Sequence, residues 1–596
     1  MFTIPSKETK KFSQPNYGDT QGNLWGTFNI NLTKNMGRVR VTRTETVFSD
    51  TYANGFSTPI AFAYFNFNNK YYAYGRSVYV GGTSPLDSFT KDTTSNSPVT
   101  TGNIGDMKVF NTDTGRFLFV ATDQNIKYFN GTTWTTLTSL SFIYPHIFTQ
   151  FADKLYYTDD ENKIYSINRD LTVNTAGVYT LDLSFVSGHI SWMVAGSNRI
   201  WIGVTTSDGS HGSIYEWDGQ SENIWSKNYI IEAQGSCGCA IWNDTPYVLD
   251  IEGRLLAFNG SGFAEVARLP IMQYDSVPST YNTIDPIKLC HFNGIQYIND
   301  AILININSNT TGDNGNLENF PSGIYTYTKE NGLVHTISPS ITQRNGSIKD
   351  YGQSFGVLAG AIFDASSSVG QTGGFNLSSV MFGNLFAFDS ISGTTFRAAI
   401  NVDILQPQPG DTVFKRQGYI VTPYLETNSV KDIWQNIIIK YRKMLDSADR
   451  IMVKYRTTKD IPKLISSVVW DDNISFTNNS SLISSLNVGD EIEIIHGNGG
   501  GSVAHITSIV NNGSDFTVTV DEAIIGISAG DYTTIRFQTW KKLPDINADN
   551  FQFADRPLPQ YNKDTEIQFK IVMNWTDKDN ELREVIVVNQ TDQYSK

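Results

Sequence analysis

Residues able to do covalent or metal chemistry are few in this chain, and their spacing suits none. It holds seven histidines and three cysteines in 596 residues. Cys237-Gly-Cys239 lacks both the partners of a zinc site and the spacing of a redox Cys-x-x-Cys, and Cys290 stands apart. An odd, small number in so long a chain argues against a disulfide framework, so buried free thiols in strands are expected. His496 and His505 flank a glycine-rich tip, Gly497-Asn-Gly-Gly-Gly501, and would face one another in a hairpin. Two histidines without a third ligand make a poor metal site. Neither Lys-Ser/Thr nor a helix follows the tip, so it is no phosphate loop, and its glycines suit a tight strand connection. No Gly-x-Ser-x-Gly elbow occurs. Carboxylate pairs such as Asp159-Asp160 and Asp471-Asp472 sit in turn-like sequence and read as turn formers, and no loop has calcium-binding spacing. The expectation is no catalytic residue, no metal, no cofactor and no enzyme.

Binding chemistry has two candidates. Lys440, Arg442, Lys443, Arg450, Lys454, Arg456 and Lys459 form the only dense positive cluster. Strand alternation puts Lys440 and Arg442 on one face, and Lys454 and Arg456 on one face of the next strand. Such a face could meet passing DNA or an acidic neighbouring subunit, or simply face solvent. Aromatics near blade turns, Trp134, Trp217 and Trp225, could stack on sugars; packing between sheets is the competing fate.

The elements that would carry these residues repeat. Arg116 to Trp134, RFLFVATDQNIKYFNGTTW, reads as two short strands closed by Asn130-Gly131, a strong hairpin signal. The pattern recurs from Lys70, Lys154, Arg199, Thr245 and Gly294, with a degenerate copy near Asn384. Successive starts lie 46, 38, 45, 46 and 49 residues apart, the period of a four-stranded propeller blade. One blade cannot bury both faces, so several must close into a ring. Six are clear within Pro59 to Asp403 and a seventh falls within Tyr351 to Asp403. Enzyme-type propeller boxes are incomplete. Asn130-Gly131-Thr132-Thr133-Trp134 lacks the leading Ser and Asp of a sialidase box. Asn111 to Arg116 is a single fragment of a quinoprotein core.

The palette agrees: 29 Tyr, 35 Phe, 11 Trp and 48 Gly with 17% charged residues favour strands and turns. The predicted fold class is all-β: a β-propeller of six to seven blades, then a β-sandwich with an inserted small SH3/OB-like barrel. Predicted domains are an extended N-terminal arm (1–43), the propeller (44–405), the sandwich (411–464 plus 533–596) and the barrel (465–532). Thr44 to Phe48 reads as a strand able to help close the ring. Asn305 to Pro321 reads as a long polar rim loop, and Gln406 to Gly410 marks a domain boundary. Thr533 to Trp540 is read as a sandwich strand. A formal charge of −14 is unlike a protein that grips phosphates, though it suits a surface past which DNA slides. No window reaches the roughly 18 apolar residues of a membrane span, and the first residues carry no signal-peptide pattern.

The order KYRKMLDSADRIMVKYR, VVWDDNISFT, VGDEIEIIHGNGGGSVAHITSI, FTVTVDEAI and FQTWKKLPDI, behind the blades, resembles the tail nozzle or tail tubular protein B type of structural protein in tailed phages. The likeness lies more in architecture than in motif, and this chain is more compact than a typical nozzle. The resemblance implies a homo-oligomeric, hexameric ring in the virion tail, made in the host bacterial cytoplasm. It also implies transient passage of double-stranded DNA and neighbours such as a portal or adaptor ring, fibres or other tail proteins. The alternative is a receptor- or carbohydrate-binding propeller of the virion, read through Trp134 and Trp217.

Overall fold

The computed structural model is built of antiparallel sheets. It describes most residues within 2–4, 24–50, 65–139, 146–180, 188–269, 290–306, 323–337, 357–358, 381–401, 417–558 and 566–591. Trp225, Lys459, the loop 307–322 and the predicted boundary at 406–410 lie outside the described residues.

Blade 2 shows how local sequence makes the repeating unit. Asp106–Thr112 and Gly115–Ala121 pair across a two-residue turn, where Gly115 takes φ of 149° and the Thr112 hydroxyl donates to the Gly115 carbonyl at 2.7 Å. This is the quinoprotein-like fragment, and it is a hairpin. Asn125–Phe129 comes next, then Trp134–Ser139. Between those two, Asn130 Oδ1 accepts from the Thr132 and Thr133 amides at 3.0 and 2.9 Å, and Gly131 supplies φ of 100°. The side chain mimics a backbone turn while the glycine takes a conformation costly for other residues. Blade 5 repeats the device with Asn259 and Gly260.

The other blades run from Phe65–Phe67 to Thr90–Lys91 (blade 1), Phe148–Phe151 to Tyr179–Thr180 (blade 3), Gly188–Ala195 to Asn228–Ile230 (blade 4), Ser236–Trp242 to Phe263–Arg268 (blade 5) and Ile295–Ile298 to Gly332–Ile337 (blade 6). Blade 7 joins Val357–Leu358, Met381–Asp389 and Thr394–Asn401 to Thr46–Asp50, so a strand from the first fifty residues completes the last blade. The fold is a seven-bladed β-propeller followed by a sandwich and a barrel.

Neighbouring blades meet through aromatic clusters. Tyr72 of blade 1 lies 6.3 Å from Phe129, itself stacked on Trp134 at 5.0 Å; Tyr156 and Tyr179 of blade 3 meet Trp217 at 5.3 and 4.1 Å. Trp201 reaches Phe258 and Phe263 of blade 5, and Trp242 reaches Tyr297 and Tyr327 of blade 6. Inside, the first strands of the blades are tied by neutral and side-chain-to-backbone bonds: Asp106 Oδ2 accepts from the Phe148 amide (2.9 Å), and Ser236 Oγ from Trp192 Nε1 (2.8 Å). Trp192 lies so close over Gly203 that a Cβ there would stand 2.2 Å from its ring.

Two further sheets share one core. A four-stranded sheet runs Phe2–Ile4, Leu582–Thr591, Asp432–Tyr441, Phe553–Pro557; the other contains Gly26–Phe28, Gln417–Val421, Ile567–Asn574, Arg450–Thr457 and Lys541–Lys542. Ile437, Ile439, Tyr441, Ile451, Val453, Tyr455, Phe569 and Val585 face each other between them. The expected N-terminal arm is therefore corrected. The described residues of 1–43 supply a strand to each sheet, and Leu24, Ile30, Leu32, Val39 and Val41 enter the core. Scattered hydrophobes suffice because the partner strands supply the rest of the core.

The barrel is closed, six strands in the order Lys463–Trp470, Ser475–Asn478, Phe516–Val520, Val503–Asn511, Glu491–Gly497, Tyr532–Gln538. The last strand overturns the reading of Thr533 to Trp540 as sandwich. It pairs with two barrel strands, and Ile535 and Phe537 fill the barrel core with Trp470 and Phe476.

Candidate functional site

The basic cluster, followed residue by residue, splits in two. Alternation in Asp432–Tyr441 sends Ile437, Ile439 and Tyr441 into the core, which turns Lys440 outward. Lys440 pairs with Glu584 on the neighbouring strand at 2.5 Å, and both remain partly exposed. Arg442 and Arg450 are exposed. In the opposite sheet, Ile451, Val453 and Tyr455 face the core, so Lys454 and Arg456 do share the other face, as the alternation predicts. That face is covered. Lys454 and Arg456 are buried, and neither belongs to a surface contact patch.

The barrel is the cover. Lys454 Nζ is ion-paired with Glu491 Oε2 from the barrel, and lies 3.4 Å from His505 Nε2. His505 continues outward to Asp521, whose Oδ1 accepts the His505 amide at 2.8 Å and whose Oδ2 lies 3.1 Å from Nδ1. The expected pairing of His505 with His496 does not occur: the register sets His505 opposite Glu491 and His496 opposite Thr534. Burial opposes ionisation of Glu491. The charges of Lys454 and Lys570 and the bonds from His505 and Lys454 outweigh it, holding the carboxyl well below the usual range. The Arg456 guanidinium lies 4.5 Å over Trp540 and 5.7 Å from Tyr424, and its Nε donates to Gln568 Oε1 at 2.8 Å. Gln568 in turn donates to the Thr422 carbonyl at 2.8 Å. These cations lock the barrel and its return segment onto the sandwich.

The two candidate ligand aromatics are corrected too. Trp134 is buried, donating Nε1 to Asp92 Oδ2 at 2.6 Å, and Trp217 is buried between Tyr156 and Tyr179. Both hold blades together because a wide apolar ring gains more between sheets than at a rim. All three cysteines are buried outside any disulfide, and burial pushes the Cys239 and Cys290 thiols far up. Asp472 behaves as a turn former: its Oδ1 accepts the Ile474 and Ser475 amides at 2.8 and 2.7 Å. Among the described residues no group of three or more His, Cys, Asp or Glu is arranged to hold a metal, and no helix is long and apolar enough to cross a membrane.

Exposed apolar residues, which charge and motif reasoning passes over, mark what is left. The large ones on the described surface are nine, and eight fall outside the propeller. Leu445, Phe551 and Phe553 lie on the sandwich near Lys440 and Arg442; Ile474, Leu482, Val488, Val510 and Tyr532 lie on the barrel. The useful signal was in the strand alternation: in FTVTV and SFTN the outward positions are threonine, serine and asparagine rather than charged residues.

No family model matches the chain, and no curated protein matches it. Among similar solved structures is BBS1N in complex with ARL6DN, soaked with mercury, at 14% identity and a TM-score of 0.35, covering 62% of this chain and 99% of that one. Another is BamB from Moraxella catarrhalis, at 9% identity and a TM-score of 0.28, covering 59% of this chain and 97% of that one. At these scores the propeller assignment rests on the seven sheets themselves.

Proposed function

We propose that the chain is a structural component of a bacteriophage virion tail, a nozzle or hub protein forming an oligomeric ring around the path of DNA ejection. The observation that supports this most is mechanical continuity. Strands from residues 2–4 and 26–28 are built into the sandwich, Thr46–Asp50 completes the last blade, and the His335 amide of blade 6 donates to Thr27 Oγ1 at 2.9 Å. Propeller and sandwich are thus tied together beside blades 6 and 7, as suits a part that transmits force. Its work is to hold shape and dock neighbours, with no chemistry of its own. The glycan-reading alternative loses its anchors, since Trp134 and Trp217 are buried.

Quantitative mass spectrometry of purified virions, counting this chain against the portal subunit, tests the reading. A fixed small-integer ratio is expected. Absence of the chain from particles overturns it, and a loose, high copy number would move the protein to the particle surface.

A further inference from the structure

A second group of cations stands where the first fifty residues meet the C-terminal strand of the sandwich. Val39 and Leu582 exchange backbone hydrogen bonds of 2.9 and 3.0 Å in an antiparallel bridge, and both side chains lie in the core. Their chain neighbours therefore share the outer face. The bridge sets Arg40 opposite Glu581 and Arg38 opposite Arg583. Like charges directly across two strands destabilise a sheet, and here two guanidinium groups are placed so.

All three arginines converge on one carboxylate. Arg38 Nη1 and Arg40 Nη2 lie 3.3 and 2.9 Å from Glu581 Oε2, and Arg583 Nε lies 2.9 Å from Oε1. The Glu581 side chain is 1% exposed beneath them. Burial opposes its ionisation, but the bonds from Arg40 and Arg583 and the charges of Arg38 and Arg40 outweigh that and hold the carboxyl below its usual range. Three positive charges against one negative leave two, and among the described residues no other carboxylate pairs with these arginines. Arg583 Nη1 reaches only the neutral Gln552 Oε1, at 3.5 Å. Beside the group Lys440 and Glu584 cancel, and Asp555, bonded to Asn436 Nδ2 at 2.7 Å, lies opposite Ile438 further along the sheet. The surplus is presented to solvent: Arg38 and Arg583 are 49% and 41% exposed.

We infer that Arg38 and Arg583 bind backbone phosphates of double-stranded DNA, with Arg40 and Glu581 holding them in place. Each guanidinium carries five N–H donors in a planar fork, and each gives one nitrogen to Glu581. The donors that remain on Arg38 and Arg583 match phosphate oxygens in pairs. An anion seated there also relieves the repulsion between the two facing arginines. Backbone phosphate is favoured over an acidic peptide because the ring reading, on which this rests, brings duplex DNA past every copy. Two surplus charges on a chain of formal charge −14 keep the contact local and blind to sequence. It aligns the duplex without gripping it.

The test measures binding of the purified full chain to a short DNA duplex by fluorescence anisotropy across a salt series. Arg38→Gln/Arg583→Gln keeps donors toward Glu581 and removes both charges. It should weaken binding roughly 10–100-fold near 0.1 M salt and flatten the slope of log affinity against log salt by about two, since each phosphate contact contributes about 0.9. Arg38→Lys/Arg583→Lys keeps both charges and should keep the slope, which carries the test if the glutamine variant folds poorly. Lys91→Gln/Lys154→Gln removes the same charge from exposed propeller positions and should bind as wild type does. No binding at low salt, an unchanged slope in Arg38→Gln/Arg583→Gln, or an equal loss in the propeller variant overturns the site. So does a polyglutamate peptide that binds as tightly as the duplex through the same arginines, or a change in self-association of the DNA-free variant by sedimentation velocity. Either would make the group a protein contact. These outcomes leave the virion count to judge the ring reading, and a chain absent from virions overturns that reading even where the duplex binds.

Discussion

Blade interfaces and the barrel junction solve the same problem, fixing one sheet against another, with opposite chemistry. Between blades 3 and 4 the joint is Tyr156, Tyr179 and Trp217, large rings with neutral bonds such as Tyr156 to the Gly219 carbonyl at 3.0 Å. Between sandwich and barrel the joint is an ion pair, Lys454 with Glu491, flanked by a guanidinium on Trp540. Aromatic area tolerates small errors of placement and repeats around the ring without choosing a direction. A buried pair of charges does not: removing one partner strands the other in a medium that cannot solvate it. The propeller therefore gains stability from many interchangeable joints, and the barrel gains orientation from one that is not.

The sharpest way to break this contrast is at the charged joint. Lys454→Met should destabilise the protein by about 3–5 kcal/mol, because buried Glu491 loses its ion-pair partner. The double variant Lys454→Met/Glu491→Leu should recover most of that. Denaturant unfolding of wild type, both single variants and the double variant closes the cycle; additive losses would show that the pair is not coupled. At an aromatic joint, Trp217→Ala should cost a comparable amount, about 3–5 kcal/mol, but no second change at Tyr156 should rescue it. Rescue there would erase the distinction.

Acid should separate the joints more gently. The folded-state pKa of Glu491 lies below its unfolded value. Between the two, the unfolded chain binds more protons, so stability rises with pH. The contribution is complete above the ordinary glutamate range, near pH 4–5, and is lost as pH falls through the folded value. Glu491→Gln should flatten the acid side of the stability–pH curve, whereas Trp217→Ala should lower the curve without changing its shape. Identical acid slopes in wild type and Glu491→Gln would refute the assignment. The smallest effect expected is at a turn: Asn130→Ala removes an acceptor for two amides and should cost about 1 kcal/mol, read as a small shift in midpoint.

What was legible in the sequence divides along the same line. Blades could be read because every hairpin carries its own turn chemistry within a few residues, as Asn130-Gly131 does. Alternation correctly gave the shared face of Lys454 with Arg456. It could not say what lies over a face. The cover on Lys454 comes from Glu491, 37 residues on, after the chain has left the sandwich and begun a barrel. The strands at 2–4 and 26–28 were hidden for the same reason, since their partners are at 585–587 and 419–421. The barrel's end was misplaced because Thr533 to Gln538 alternates equally well for either sheet, and only pairing decides.

The closure of the last blade by Thr46–Asp50, and of the sandwich by Phe2–Ile4, has a consequence for how the molecule is made. These strands emerge from the ribosome well before their partners, since Thr394–Asn401 and Leu582–Thr591 are translated hundreds of residues later. At roughly 5–20 residues per second Phe2–Ile4 waits about half a minute to two minutes for its partner. Blades 1 to 6 have all four strands in sequence and can form during that wait. Ring closure and sandwich assembly must wait for those late partners, and a nascent chain cut short before them can complete neither.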